Sequence, residues 1–107
     1  MDWKKKHNLL LKAFGNDFEV IWHGPQKYTA RVRELHYQDD TGDYSFAVVD
    51  GSSGEKAVSA LFNKLVILSE KEKKIVIRPN TSASNKFTWN GKEFKSTPDH
   101  FIPRFGD

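Results

Sequence analysis

The chain has 107 residues, of which 37% are hydrophobic and 13% aromatic, and its formal net charge is +3. One domain with a modest core is expected at this length and composition. The sequence contains no cysteine, which excludes disulfides, thiolate zinc sites and cysteine nucleophiles. No apolar run approaches the roughly 20 residues of a membrane-spanning helix, so no membrane partner is expected.

The N-terminal segment has the pattern of a short amphipathic helix. Asp2 can cap its first turn. Successive members of the set Trp3, His7, Leu10 and Phe14 are three or four residues apart, so they share one helical face. Gly15 is suited to end the helix, because glycine tolerates the left-handed conformation found at helix C-termini.

After Gly15 the hydrophobic period changes to two, which is typical of strands. Phe18–Trp22, Tyr28–Leu35 and Tyr44–Val48 are the first predicted strands, and turn-forming residues separate them. Late in the chain, Asn90-Gly91 lies between two aromatic segments, and this pair predicts a hairpin with a type I′ turn.

The centre of the chain is harder to assign. Ala57–Asn63 fits either a helical turn or a strand, and we leave both open. Lys64–Leu68 and Lys74–Arg78 are short aliphatic runs that we interpret as strands. The charged segment Ser69–Lys73 between them is typical of an exposed connection.

These elements predict one mainly β (α+β) domain over residues 1–107. An N-terminal helix spans residues 1–15, and a small antiparallel β-barrel or sandwich spans residues 16–96. Residues 97–107 are expected to form an extended tail, because two prolines oppose regular structure there. Its apolar side chains favour folding back on the domain or docking on another chain.

The motifs that would indicate chemistry are incomplete. Gly51–Lys56 lacks the Gly-Lys-Ser/Thr ending of a phosphate-binding loop. Asp39–Asp43 lacks the alternating oxygen ligands of a calcium loop, and the four histidines lack the spacing of a zinc site. Paired carboxylates and a Ser–His–acid arrangement are also missing. We therefore predict no catalytic residue, no metal, no cofactor and no enzymatic activity.

A second interpretation comes from basic and aromatic residues in or beside the strands. They could form the face of an oligonucleotide-binding (OB-like) barrel that stacks single-stranded bases. Against this, lysines at strand ends commonly keep sheet edges soluble. The candidate nucleic-acid residues are Tyr28, Arg31, Arg33, Trp89, Lys92 and Lys95.

Two segments also carry a family resemblance. A helix ending in Ala13-Phe14-Gly15 precedes the strands Phe18–Trp22 and Tyr28–Leu35, and Phe87–Phe94 forms a strand, a tight turn and an aromatic. This order resembles the small head–tail joining (connector or completion) proteins of tailed bacteriophages. The resemblance implies a helix packed on a small β-barrel or sandwich, assembly as a ring between portal and tail, and no catalytic site.

The leading hypothesis is therefore a structural assembly protein of a phage or prophage particle, located in the virion or the cytoplasm of a bacterial host. Its expected partners are portal and tail proteins and further copies of itself in a ring. The alternatives are the OB-like nucleic-acid-binding domain and an inhibitor or immunity-type protein that binds one enzyme. The residues predicted to contact a protein partner are Trp3, Leu10, Phe14, Phe101, Ile102 and Phe105.

Overall fold

The computed structural model describes residues 1–77 and 84–99, which form two helices and one six-stranded antiparallel sheet. The predicted mainly β, α+β fold with an N-terminal helix is confirmed. The sheet is not closed, so the barrel remains unconfirmed. The elements are α1 (Trp3–Phe14), a 3₁₀ turn (Gly15–Asp17), β1 (Phe18–Gly24), β2 (Lys27–Gln38), β3 (Tyr44–Gly51), α2 (Gly54–Glu70), β4 (Ile75–Ile77), β5 (Ser84–Trp89) and β6 (Phe94–Asp99).

Helix α1 begins and ends where its sequence predicts. The Asp2 carboxylate accepts a hydrogen bond from the Lys5 backbone N–H at 2.9 Å, which satisfies a free donor of the first turn. At the other end, Gly15 has φ 59° and donates its N–H to the Leu11 carbonyl. The helix therefore presents its apolar face to the core.

Strand β2 is the centre of the sheet and changes partner along its length. Its first half pairs with β1, and Leu35–Tyr37 pairs with β4 on the same side. Strand β3 runs along the other side of β2. Between these two regions the segment Val32–Leu35 lies opposite Ala47 alone, and Glu34 has φ 62°. This bulge bends β2, so that β2 pairs with β1 before the bend and with β4 after it.

Helix α2 resolves one open assignment and corrects one prediction. The segment Ala57–Asn63 is helical, and the strand predicted over Lys64–Leu68 is wrong, because both belong to α2. The Ser53 hydroxyl caps the helix by accepting from the Lys56 N–H at 3.1 Å. One helical face then explains the apolar run, since the residues it buries follow helical spacing: Ala57, Val58, Leu61, Phe62 and Leu65.

The β5–β6 hairpin is real, but its turn differs from the predicted type I′. Trp89 pairs with Phe94, so the loop has four residues, and only Gly91 has a positive φ in it. The Asn90 side-chain oxygen instead accepts from the backbone N–H groups of Lys92 (2.8 Å) and Glu93 (2.9 Å). Asn90 acts here as a hydrogen-bond acceptor that closes a wider loop.

The predicted extended tail is shorter than expected at its start. Strand β6 continues to Asp99, so residues 97–99 belong to the sheet. Pro98 lies in β6, the last strand of the described sheet, and proline within sheets is largely confined to such edge strands. The rest of the tail, residues 100–107, lies outside the described residues.

The core lies between the two helices and one face of the sheet. Leu10 from α1, Leu61 and Leu65 from α2, and Leu35 from β2 are all fully buried in one cluster. Because side chains alternate along a strand, the strand residues next to those that face the core point to the opposite side of the sheet. We call that side, which carries Glu19, Arg31, Phe46 and Val48, the open face.

Candidate functional site: an apolar strip on the open face

Two large apolar side chains lie exposed on β3. Phe46 is 62% exposed and Val48 is 41% exposed, whereas Ala47 between them is fully buried. This alternation places Phe46 and Val48 on the open face, away from both helices. We call these two residues the β3 strip. Exposed apolar residues gathered beside one another often mark a contact surface.

A groove of about 650 Å³ lies beside the β3 strip. The bulge in β2 contributes Val32, Arg33 and Glu34 to the lining of this groove. The residues lining the groove are Asp17, Arg31, Val32, Arg33, Glu34, Phe46 and Val48.

The two arginines of the groove are each held by an acid. Arg31 donates from Nε to the Glu19 carboxylate at 2.6 Å. Arg33 donates to the Asp17 carboxylate at 3.4 Å and to the Asn16 carbonyl at 3.1 Å. Because each cation has an anionic neighbour, the groove carries balanced charge instead of a basic patch.

His36 supports the strip from β2. The His36 ring packs against the Phe46 ring in a tilted arrangement, with centroids 4.4 Å apart and planes at 43°. The ring atom Nδ1 is buried and has no hydrogen-bond partner. This aromatic contact favours a defined orientation for the exposed Phe46 ring.

A second cavity, of about 500 Å³, lies beside the β1–β2 turn and contains a linked polar group. His23 Nε2 is 2.9 Å from the Thr29 hydroxyl, which donates to the Asp50 carboxylate at 2.8 Å. In a nucleophilic triad the hydroxyl donates to the histidine, and the acid orients that histidine. Here the hydroxyl donates to the acid, so this arrangement joins β1, β2 and β3 without activating a nucleophile.

Residues 1–77 and 84–99 contain no group of three His, Asp or Glu side chains that could hold a metal ion. Within the same described part, neither helix has the length and apolar character needed to cross a membrane.

The structure separates the predicted protein-contact residues. Leu10 and Phe14 are buried in the core, so they serve the domain itself and are not available at its surface. Trp3 is half-buried and meets His7 edge-on at 6.3 Å. The three predicted contact residues of the tail, Phe101, Ile102 and Phe105, lie outside the described residues.

The predicted nucleic-acid residues also fall into two groups. On β2, Tyr28 packs against the core cluster, whereas Arg31 and Arg33 point to the open face. The other three residues lie at the β5–β6 hairpin. The structure therefore places these aromatic and basic side chains on separate hairpins.

At that second hairpin, two of the three predicted residues already have partners within the domain. Trp89 packs edge-on against Phe62 with centroids 5.2 Å apart. Lys95 lies 3.0 Å from the Glu93 carboxylate, and Lys92 is exposed. Stacking of a base on Trp89 would therefore compete with its packing against α2.

Sequence reasoning recognised Phe46 and Val48 as part of a strand but missed them as a site. One signal was present, since Tyr44–Val49 contains a single hydrophilic residue, Ser45, where a half-buried strand usually alternates. The strip is recognised as a site because β3 lies at the edge of the described sheet. That position depends on the order of the strands, which the local sequence does not show.

Comparisons with models of protein families, with curated proteins and with solved structures found no match to this chain. The described fold and site define a small α+β domain, in which two helices cover one face of an open antiparallel sheet and an apolar strip lies on the other.

Proposed function

We propose that this chain is a non-enzymatic assembly protein that acts through protein–protein contacts. The observation that carries the proposal is the β3 strip: Phe46 and Val48 are exposed together on the face that neither helix covers. Burying apolar surface of this kind is the main favourable term in protein association. The paired arginines of the groove fit the polar rim that commonly surrounds such a contact.

The resemblance to head–tail joining proteins gives the proposal its most specific form. In that form the chain is a component of a phage or prophage particle and forms a ring between portal and tail. A ring needs two different patches on each subunit, because its interfaces are head-to-tail. Trp22 at the end of β1 (66% exposed) and Ile67 on α2 (49% exposed) are the candidates for these two patches, and the β3 strip supplies a separate contact.

The test is assembly with the cognate partners. The purified chain is combined with the portal and tail proteins of its own particle and studied by sedimentation and electron microscopy. The proposal predicts a ring or a portal–tail complex that contains the chain. If no such assembly forms, the connector function is wrong.

A pair of variants links that assembly to the strip. Phe46→Ser removes an exposed aromatic from the open face and is expected to weaken assembly at least about tenfold, as hot-spot aromatics do. Leu11→Ser is the matched control, because Leu11 is 45% exposed on α1, away from the strip. Equal loss in both variants, or no loss in Phe46→Ser, would contradict the role assigned to the strip.

A further inference from the structure

Strand β3 lies at one edge of the sheet that residues 1–77 and 84–99 form. It pairs with β2 on one side, and no described strand pairs with the other. From Tyr44 to Val49 it has neither a charged residue nor a proline. Soluble proteins usually protect such edges with charge, proline or a bulge, because the free N–H and C=O groups accept another strand.

The other edge strands of the described sheet differ from β3 in two ways. Strand β6 contains Lys95 and Pro98, and a charge or a proline at an edge discourages pairing with another chain. Strand β1, like β3, has a single acidic residue. What distinguishes β3 is the pair of exposed apolar side chains, Phe46 and Val48, on the face that neither helix covers, because a further strand would help to bury them.

We propose that β3 pairs antiparallel with β3 of a second copy of this chain, about a two-fold axis at Ala47 perpendicular to the sheet. The two sheets then become continuous, and the helices of both copies lie on the same side. This inference rests on the proposed function and names a second copy as one of its protein partners.

The register about Ala47 makes the edge complementary to itself. Phe46 lies opposite Val48 of the second copy, and the pair occurs twice, so both strips join into one apolar cluster on the open face. Tyr44 lies opposite Asp50. Asp50 is the only charged residue of β3, and in this register it does not face another carboxylate. The apolar match and the absence of like-charge opposition favour a second copy as the occupant.

The backbone also permits this arrangement. In an antiparallel pair, directly opposed residues are either hydrogen-bonded to each other or not. A two-fold axis can pass between two opposed Ala47 residues in either case, so the pairing does not depend on which way the N–H and C=O of Ala47 point. Strand β3 has eight residues, and the shared register uses Tyr44 through Asp50. The bulge lies in β2, so β3 itself stays regular along the pairing edge.

The register can be tested with introduced cysteines, because the natural chain has none. A mixture of Phe46→Cys and Val48→Cys chains places the two thiols directly opposite each other. Opposed residues have Cα atoms roughly 4.5–5.5 Å apart, within the range of about 4.4–6.8 Å that disulfides need. Either variant alone offers only diagonal pairs, which lie beyond about 7 Å.

We expect the mixture to form disulfide-linked dimers at least about tenfold faster than either variant alone, since disulfide geometry is strict. Val20→Cys is the matched control, because Val20 is 37% exposed on β1 and Val48 is 41% exposed on β3. Circular dichroism of each variant checks that its fold is kept.

Three results would overturn the pairing: equal rates in the mixture and the single variants, equally fast cross-linking of Val20→Cys, or a wild-type chain that sediments as a monomer at all concentrations. Each of these leaves a complex with portal and tail proteins possible, so the proposed function fails only in its own experiment. A dominant mixed disulfide supports the pairing even if no such complex forms.

Discussion

At the scale of single residues, backbone conformation decides more than side-chain identity at two places. Helix α2 ends in a Schellman motif, in which the N–H of Lys73 bonds the Leu68 carbonyl at 2.9 Å and that of Glu72 bonds the Ser69 carbonyl at 3.0 Å. The residue in the left-handed position is Glu72, with φ 59°. Strand β3 ends at Gly51, which leaves no space for a side chain.

Glu72→Gly is expected to stabilise the domain. A non-glycine residue in the left-handed region carries a strain of roughly 1–2 kcal/mol, which glycine removes. Glycine also loses more chain entropy on folding, and this offsets part of the benefit, so the free energy of unfolding should rise by about 0.5–1 kcal/mol. Chemical denaturation measures it. Glu72→Ala is the control, because it removes the carboxylate without relieving the backbone, and a gain as large from alanine would contradict the explanation.

Gly51→Ala is expected to destabilise the domain. A Cβ at this position would lie 2.6 Å from the Ala57 backbone nitrogen and 2.9 Å from its Cα, so β3 and the first turn of α2 would have to separate. Overpacking of this kind costs about 1–3 kcal/mol. At Gly54 an added Cβ meets nothing closer than 3.9 Å, so Gly54→Ala should leave stability unchanged or raise it. Similar melting temperatures for the two variants would contradict the close contact between Gly51 and the backbone of Ala57.

At the scale of elements, what could be predicted depended on whether the signal was local. Helix α1 was predictable because Asp2 and Gly15 mark its ends. Helix α2 was missed because its end is apolar on more than one side: Ile67 is 49% exposed, so a helical stripe was hidden in a continuous apolar run. The β3 strip was not predictable as a site, because the edge position of β3 depends on a distant pairing between β2 and β4.

The loop between β5 and β6 is tied to α1 by an ion pair with a pH signature. Glu93 lies 2.6 Å from Lys12 and 3.0 Å from Lys95. Hydrogen bonding to Lys12, and then to Lys95, lowers the pKa of Glu93 from its usual 4.5 to about 2. A carboxyl whose folded pKa is lowered stabilises the fold above its unfolded pKa and loses that contribution as the pH falls toward the folded value.

Glu93→Gln is therefore expected to lower the melting temperature near neutral pH and to have a smaller effect near pH 2, where the wild-type carboxyl is itself becoming protonated. Melting curves over this pH range test the expectation. Lys12→Gln should reproduce part of the effect, whereas Lys4→Gln, an exposed lysine on the same helix, should not. An effect of Glu93→Gln that is the same at all pH values would contradict the ion-pair explanation.

At the scale of the whole molecule, folding and assembly are expected to be linked. A domain of this size has a stability of only about 5–15 kcal/mol, so a partner that binds the folded state adds measurably to it. If β3 pairs with a second copy, the melting temperature should rise with protein concentration. Val48→Lys places a charge on the strip opposite Phe46 and should remove that dependence. A wild-type melting temperature that is independent of concentration would contradict self-association.

The central claim is that the β3 edge is a protein contact surface, and hydrogen–deuterium exchange tests it most directly. The backbone amides of Tyr44–Gly51 are compared between the dilute, unassembled chain and the assembled complex. We predict slower exchange in β3 on assembly, because the edge that faces away from β2 gains hydrogen-bond partners, while β6, which carries Lys95 and Pro98, stays unchanged. Equal exchange of β3 in both states, or protection confined to β6, would contradict the claim.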